Sequence, residues 1–121
     1  MNPMSHFGFL STDHVSPTTS SPSSGDLIAG SPVHCMWELE DAGGGVSVGV
    51  WESTPGKWRF ANTHWEFFRV LAGVSILTED VTEIIQTVRA GDSLLLRPGF
   101  SGTWEVIDTT RKEYVVREQC Q

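Results

Sequence analysis

Glu66 is the residue around which chemistry can be organised in this chain. It lies in the apolar run His64–Leu71, where a strand would carry His64, Glu66, Phe68 and Val70 on one face and Trp65, Phe67, Arg69 and Leu71 on the other. A carboxylate on such a face accepts a proton or an N–H, and an imidazole two residues away stands beside it. Arg59 lies one strand earlier. Turned to the same side, its guanidinium admits two readings. One is a buried Arg–Glu pair that only sets strand register, because buried charges need partners. The other is an anion clamp: Arg59 takes a substrate carboxylate or amide oxygen in bidentate fashion while Glu66 acts as base. Glu66, Arg59 and His64 are therefore the candidate catalytic residues.

Such groups need a scaffold, and the pattern from Val33 onward supplies one. Strand signals recur every eight to twelve residues with turn residues between them. His34–Glu40 alternates with Cys35, Trp37 and Leu39 on one face, and Val46–Glu52 alternates through Val46, Val48 and Val50. Lys57–Phe60, His64–Leu71, Gly73–Thr78, Val81–Val88, Asp92–Leu96, Thr103–Ile107 and Arg111–Arg117 complete the series. Asp41–Gly45, Pro55-Gly56 and Pro98-Gly99 read as turns. Thr82–Arg89 has the β-branched density of a strand rather than a helix. Eight or nine short strands in under ninety residues imply an all-β sandwich or barrel.

Ser11–Gly25 is different: eleven of its fifteen residues are Ser, Thr or Pro. It buries too little to repay its ordering entropy alone. Residues 1–30 are expected to form an N-terminal arm, flexible or strap-like and open to exchange with a neighbouring subunit, ahead of a domain over 31–118.

Bulk composition narrows the function. The chain has 121 residues, enough for one domain, and a net charge of −7. Its eight basic residues are interleaved with acids from Lys57 to Arg117, which argues against a nucleic-acid partner. No stretch approaches the ~18–20 apolar residues of a membrane helix, and Met1–Leu10 lacks the basic and apolar runs of a secretory signal. Cys35 and Cys120 form no redox or metal motif and read as free thiols. A soluble cytoplasmic protein is expected. Gly43–Gly45 lacks the Gly-Lys-Ser/Thr ending of a phosphate loop, and no nucleophile triad can be assembled.

Three stretches carry a resemblance. They are Gly49-Val-Trp-Glu-Ser-Thr-Pro-Gly-Lys-Trp-Arg59, Glu66 with Gly73 beyond it, and Ala90-Gly-Asp92 leading to Arg97-Pro-Gly-Phe-Ser-Gly-Thr-Trp-Glu-Val106. Over roughly Gly30–Arg117 the chain resembles the cupins. It is more narrowly similar to the small single-domain cupins related to the (S)-ureidoglycine aminohydrolase cupin domain and the ethanolamine-utilisation cupin. The resemblance implies an antiparallel jelly-roll β-barrel (RmlC-like) and a homodimer. It also implies a metal held by two His, a Glu and a third His. Glu66 matches the Glu. The paired His positions fall near Arg59 and Ala61, or Phe60 and Asn62 in the other spacing, and the last falls at Gly102. None is His. One carboxylate makes a poor site for a transition metal, and a cation at a ligand position repels one. No metal and no cofactor are expected.

The resemblance also places the remaining candidates. Trp51 and Trp104 lie inside the matching motifs and are expected as walls of the barrel lumen. The other tryptophans, Trp37, Trp58 and Trp65, are assigned to the core or a dimer face. Glu52 is either a pocket acid or a solvent-facing partner of Lys57. Lys112, just ahead of the last strand's apolar residues, can reach the barrel mouth, though solvated lysines are the norm. With Arg59 keeping the inward parity of the family, these residues describe a lumen for a small nitrogenous or carboxylated metabolite. The alternatives are a non-catalytic sensor or a structural dimerisation domain.

Overall fold

A computed structural model of the protein describes residues 5–118. Cys120 lies outside the described residues. All nine elements are strands: β1 (Thr18–Ser20), β2 (Leu27–Gly30), β3 (His34–Gly43), β4 (Val46–Ser53), β5 (Gly56–Asn62), β6 (Trp65–Glu79), β7 (Ile85–Arg89), β8 (Ser93–Leu96) and β9 (Phe100–Arg117). Every pairing is antiparallel, and the sheet curls into a jelly-roll barrel. No helix among the described residues is long and apolar enough to cross a membrane.

Two long bent strands organise the barrel. β9 pairs β4 through Thr110–Arg117 and β5 through Phe100–Val106, while β6 runs along its other edge over both halves. His64–Leu71 and Gly73–Thr78 read as two strands in sequence, as do Thr103–Ile107 and Arg111–Arg117. Each pair is one continuous strand, bent where the β6–β9 register shifts between Val70 and Ser75. Gly73 makes the bend possible. Its φ is +91°, and a Cβ there would collide with the backbone of Thr109. A buried relay holds the corner: Trp104 Nε1–H donates to Ser75 Oγ (3.0 Å), Ser75 lies 2.7 Å from Thr110 Oγ1, and Thr110 donates to the Asp108 carbonyl (2.8 Å).

The N-terminal arm contributes two short strands. Thr18–Ser20 pairs with Cys35 and its neighbours on β3, and Leu27–Gly30 pairs with β5, so the arm caps two sheet edges of its own chain. The hairpin after β6 is shorter than expected. It turns over Asp80–Ile84, with Glu83 at φ +60°, and β7 begins only at Ile85.

The core gathers Phe68, Val70, Leu77, Trp104 and Val106, each at most 3% exposed. Period-2 alternation explains this. On β6, Glu66, Phe68 and Val70 turn inward while Trp65, Phe67, Arg69 and Leu71 turn out, as expected. On β3 and β4 the apolar faces (Trp37, Leu39, Val48, Val50) lie on the outside of the sheet. The inward positions there are His34, Met36, Glu38, Ser47, Gly49, Trp51 and Ser53. This end of the lumen is thus lined by polar and aromatic groups.

Candidate functional site

The inward register brings four strands to one point. Trp51 on β4 faces Lys112 on β9, Lys112 faces Val70 on β6, and Glu66 faces Leu96 on β8. Lys112 Nζ donates to Glu66 Oε2 at 2.7 Å, with both side chains about nine-tenths buried. The ammonium also sits 4.4 Å from the Phe68 ring centroid, 4.6 Å from Trp104 and 4.9 Å from Trp51. Three aromatic faces and a carboxylate thus compensate its lost hydration.

Two open pockets meet at this cluster and share Trp51, Glu66 and Lys112. The inner one, about 190 Å³, adds His34, Trp58, Phe60, Leu96 and Trp104. The outer one, about 360 Å³, adds Glu38, His64, Tyr114 and Glu118 among its walls. The inner pocket is an aromatic box: Trp51 and Trp104 lie 5.2 Å apart, and Trp58 and Trp104 are parallel to within 5°. Burial raises the Tyr114 phenol, helped by the Glu38 and Glu66 carboxylates. Tyr114 therefore remains a neutral hydrogen-bonding group at the mouth.

The candidates from sequence divide cleanly. Glu66 is at the centre, and His64 Nε2 stands 3.7 Å from Glu66 Oε1, close but outside hydrogen-bond range. Trp51 and Trp104 are lumen walls. Arg59 is a correction. Trp58, Phe60 and Asn62 take the inward positions of β5, so Arg59 points to solvent and pairs with Asp80 at 2.6 Å. Ser101 donates to the same carboxylate at 2.9 Å. Neither an Arg59–Glu66 pair nor an Arg59 anion clamp in the lumen is formed. Glu52 is a second correction. It lies on the outer face, 3.8 Å from Arg111, and pairs neither with the pocket nor with Lys57. Lys112 lines both pockets; it is 6% exposed and takes the place beside Glu66 that Arg59 was expected to hold.

His34 and Trp58 belong to the site and were missed. His34 packs its ring 4.6 Å from Trp58 and 5.4 Å from Trp51, with Nδ1 2.9 Å from Ser53 Oγ. Burial and, secondarily, the Lys112 cation lower the His34 pKa, which favours the neutral imidazole. Trp58 is inward by its alternation with Lys57 and Arg59. His34 shares a face with Met36 and Glu38, a polar face that sequence alone does not mark as inward.

The chain matches the model of the EutQ-like cupin domain over residues 40–114. It belongs to that cupin family. Among solved structures, this cupin is similar to a DUF861-family protein of unknown function from Pseudomonas syringae pv. tomato (TM-score 0.75, 26% identity, 84% of this chain and 43% of that one). It is also similar to the EutQ protein of Clostridium difficile (TM-score 0.64, 17% identity, 71% and 63%). A third is a Thermotoga maritima protein described as a predicted oxalate decarboxylase (TM-score 0.71, 13% identity, 93% and 100%). The chain therefore spans less than half the length of the Pseudomonas protein and under two thirds of the EutQ protein. No curated protein matches it.

A metal of the kind cupins hold does not fit these residues. The Glu66 carboxylate is engaged by the Lys112 ammonium. Phe60 and Gly102 offer no side-chain donor, and the Asn62 amide donates to the His64 carbonyl at 2.8 Å. A cation brought to Glu66 would meet an ammonium already there.

Proposed function

We propose that this cupin binds a small nitrogenous or carboxylated metabolite in its lumen, oriented by the Lys112–Glu66 pair between tryptophan walls. The observation that carries the reading is the pair itself. A buried ion pair has a desolvation cost that an apolar pair of the same volume avoids, so it adds little to stability. Here it is placed where two open pockets meet, and the box around it is left unfilled by side chains. A cavity of mostly aromatic walls with a few convergent polar groups has the form of a small-ligand site. The narrower kinship with the ureidoglycine aminohydrolase cupins, and a cytoplasmic setting, belong to this proposal.

Lys112→Met/Glu66→Leu tests it, because the two apolar side chains keep most of the volume and remove donor and acceptor without stranding a charge. Thermal-shift screening against small amides, amines and carboxylates is expected to find stabilising ligands for the native chain and none for the variant. Equal responses from both proteins would overturn the reading. Product formation from any stabilising ligand separates an enzyme from a sensor.

A second reading, a homodimerisation module, has its own observation. Phe7 and Phe9 project from the arm with at least 85% of their surface exposed, and the arm continues through Leu10 and Thr12 onto an outer sheet face carrying Phe67, Leu71 and Val115. The occupant we propose for that face is a second copy of the chain, with the two arms reaching across. Sedimentation of the intact chain and of Phe67→Asp is expected to give a dimer and a monomer. A monomeric intact chain refutes it.

A further inference from the structure

The tautomer of His34 can be read from its neighbours, and it narrows the ligand. Ser53 is fully buried on β4 and carries one hydroxyl proton. Its Oγ lies 3.0 Å from the Thr54 carbonyl, to which it donates, and 2.9 Å from His34 Nδ1. Thr54 is pinned in turn: its amide donates to the Val33 carbonyl at 3.1 Å, and its hydroxyl accepts from the Val33 amide at 2.8 Å. A Ser53 proton donated to Thr54 leaves Oγ able only to accept at Nδ1. In that arrangement the imidazole carries its hydrogen on Nδ1 and a lone pair on Nε2. Nε2 makes no hydrogen bond among the described residues, and no buried side-chain polar atom there lacks a partner. Nε2 is thus reachable from the inner pocket that His34 lines.

The same pocket supplies a donor. Lys112 has three N–H groups and, among the described residues, one hydrogen-bond partner, Glu66. The charges of that pair cancel, so the inner pocket has no net positive charge with which to draw an anion. Its 190 Å³ holds about six water-sized groups. Trp51, Trp58 and Trp104 offer flat faces.

We propose that the inner pocket takes a small, planar, uncharged amide, a carboxamide or lactam, with its carbonyl oxygen on the Lys112 ammonium and its N–H on His34 Nε2. The proposal rests on the lumen-binding reading above and sharpens its ligand class: uncharged rather than carboxylate, and required to bring a hydrogen-bond donor. His34 acts as the specificity-determining acceptor, and Ser53 is a positioning residue that acts only through it.

The test uses the full chain labelled with ¹⁵N in histidine and tryptophan side chains. Long-range ¹H–¹⁵N correlation at pH 7 is expected to show His34 as the Nδ1–H tautomer, shifting toward a mixture in Ser53→Ala. An Nε2–H tautomer or an imidazolium in the native chain overturns the proposal, whether or not Ser53→Ala folds. The chain is then titrated with 2-pyrrolidinone, N-methyl-2-pyrrolidinone and propionate. Pyrrolidinone is expected to move the His34 Nε2 and lumen indole resonances. The N-methyl compound, which lacks the donor, should bind about tenfold more weakly, the worth of one hydrogen bond. Equal binding of the two lactams, or tighter binding of propionate, overturns this proposal and leaves the lumen reading intact. Silence of the lumen tryptophans toward all three probes removes both.

Discussion

Lys112 Nζ lies 2.7 Å from Glu66 Oε2, and both groups are nearly withdrawn from water. Each therefore depends on the other. Removing one charge strands its partner, which costs about 3–5 kcal/mol for a buried pair. Removing both leaves no stranded charge and costs little. Glu66→Gln is expected to lower the urea midpoint sharply, and Lys112→Met/Glu66→Leu to recover most of that loss. If Glu66→Gln and the double variant unfold alike, the pair is not coupled as described.

Arg59 is expected to matter far less. Its ion pair with Asp80 is exposed at both ends, 49% and 41%. Exposed pairs contribute about 0.2–1 kcal/mol and fade with salt. Arg59→Ala should therefore shift stability by no more than this in low salt and by less in 1 M NaCl, with lumen ligand responses unchanged. A large loss of ligand response in Arg59→Ala would return Arg59 to the site.

The contrast between Arg59 and Lys112 shows what the sequence makes legible. On β6, strict alternation around an apolar run fixed the inward set of Glu66, Phe68 and Val70. On β5 the same rule was available, since Lys57-Trp58-Arg59-Phe60 alternates polar and aromatic. The family spacing admits both parities, and only the strand pairing decides for Trp58 and Phe60 inward. Lys112 sits in Arg111-Lys112-Glu113, which reads as a solvated charge run. Its signal lay further on, because Tyr114 and Val116 share its parity. His34 had no such cue. Its face carries Met36 and Glu38, and only the pairing of β3 with β4, and of β4 with β9, turns it into the lumen. The bend at Gly73 was also invisible as continuity: a glycine between apolar runs reads as a break, whereas here it lets one strand turn a corner.

The lowered pKa of His34 makes stability depend on pH in a stated direction. Burial and the Lys112 cation move it below the ordinary 6.5. Between the folded and unfolded pKa values the unfolded chain binds more of this proton than the folded chain does. Stability therefore rises with pH across that window and falls on acidification below about 6.5, until His34 is protonated in both states. Urea unfolding from pH 7.5 to 5.0 should show this decline, and His34→Gln should flatten part of it. An identical pH profile for the two proteins contradicts the assignment.

Gly102 offers the sharpest test of why the usual metal pattern is lost here. It is the position where the last cupin histidine would fall, and it pairs with Phe60 on one side and Glu79 on the other. A Cβ there would run into the Thr78 carbonyl, a backbone atom of the neighbouring strand that cannot step aside. Gly99 is the control: its φ of +98° resists a side chain, but nothing lies within 4 Å of a Cβ. Gly99→Ala should cost about 1 kcal/mol, the conformational term alone. Gly102→Ala adds a steric conflict between paired strands and should cost more, about 1–3 kcal/mol or beyond, as overpacked sites do. Gly102→His is expected to fail to fold as the native barrel rather than to regain a ligand. Urea midpoints rank the three. A Gly102→His chain as stable as the native one, and binding Mn²⁺ or Zn²⁺ by calorimetry, would show that the barrel has not closed on this position.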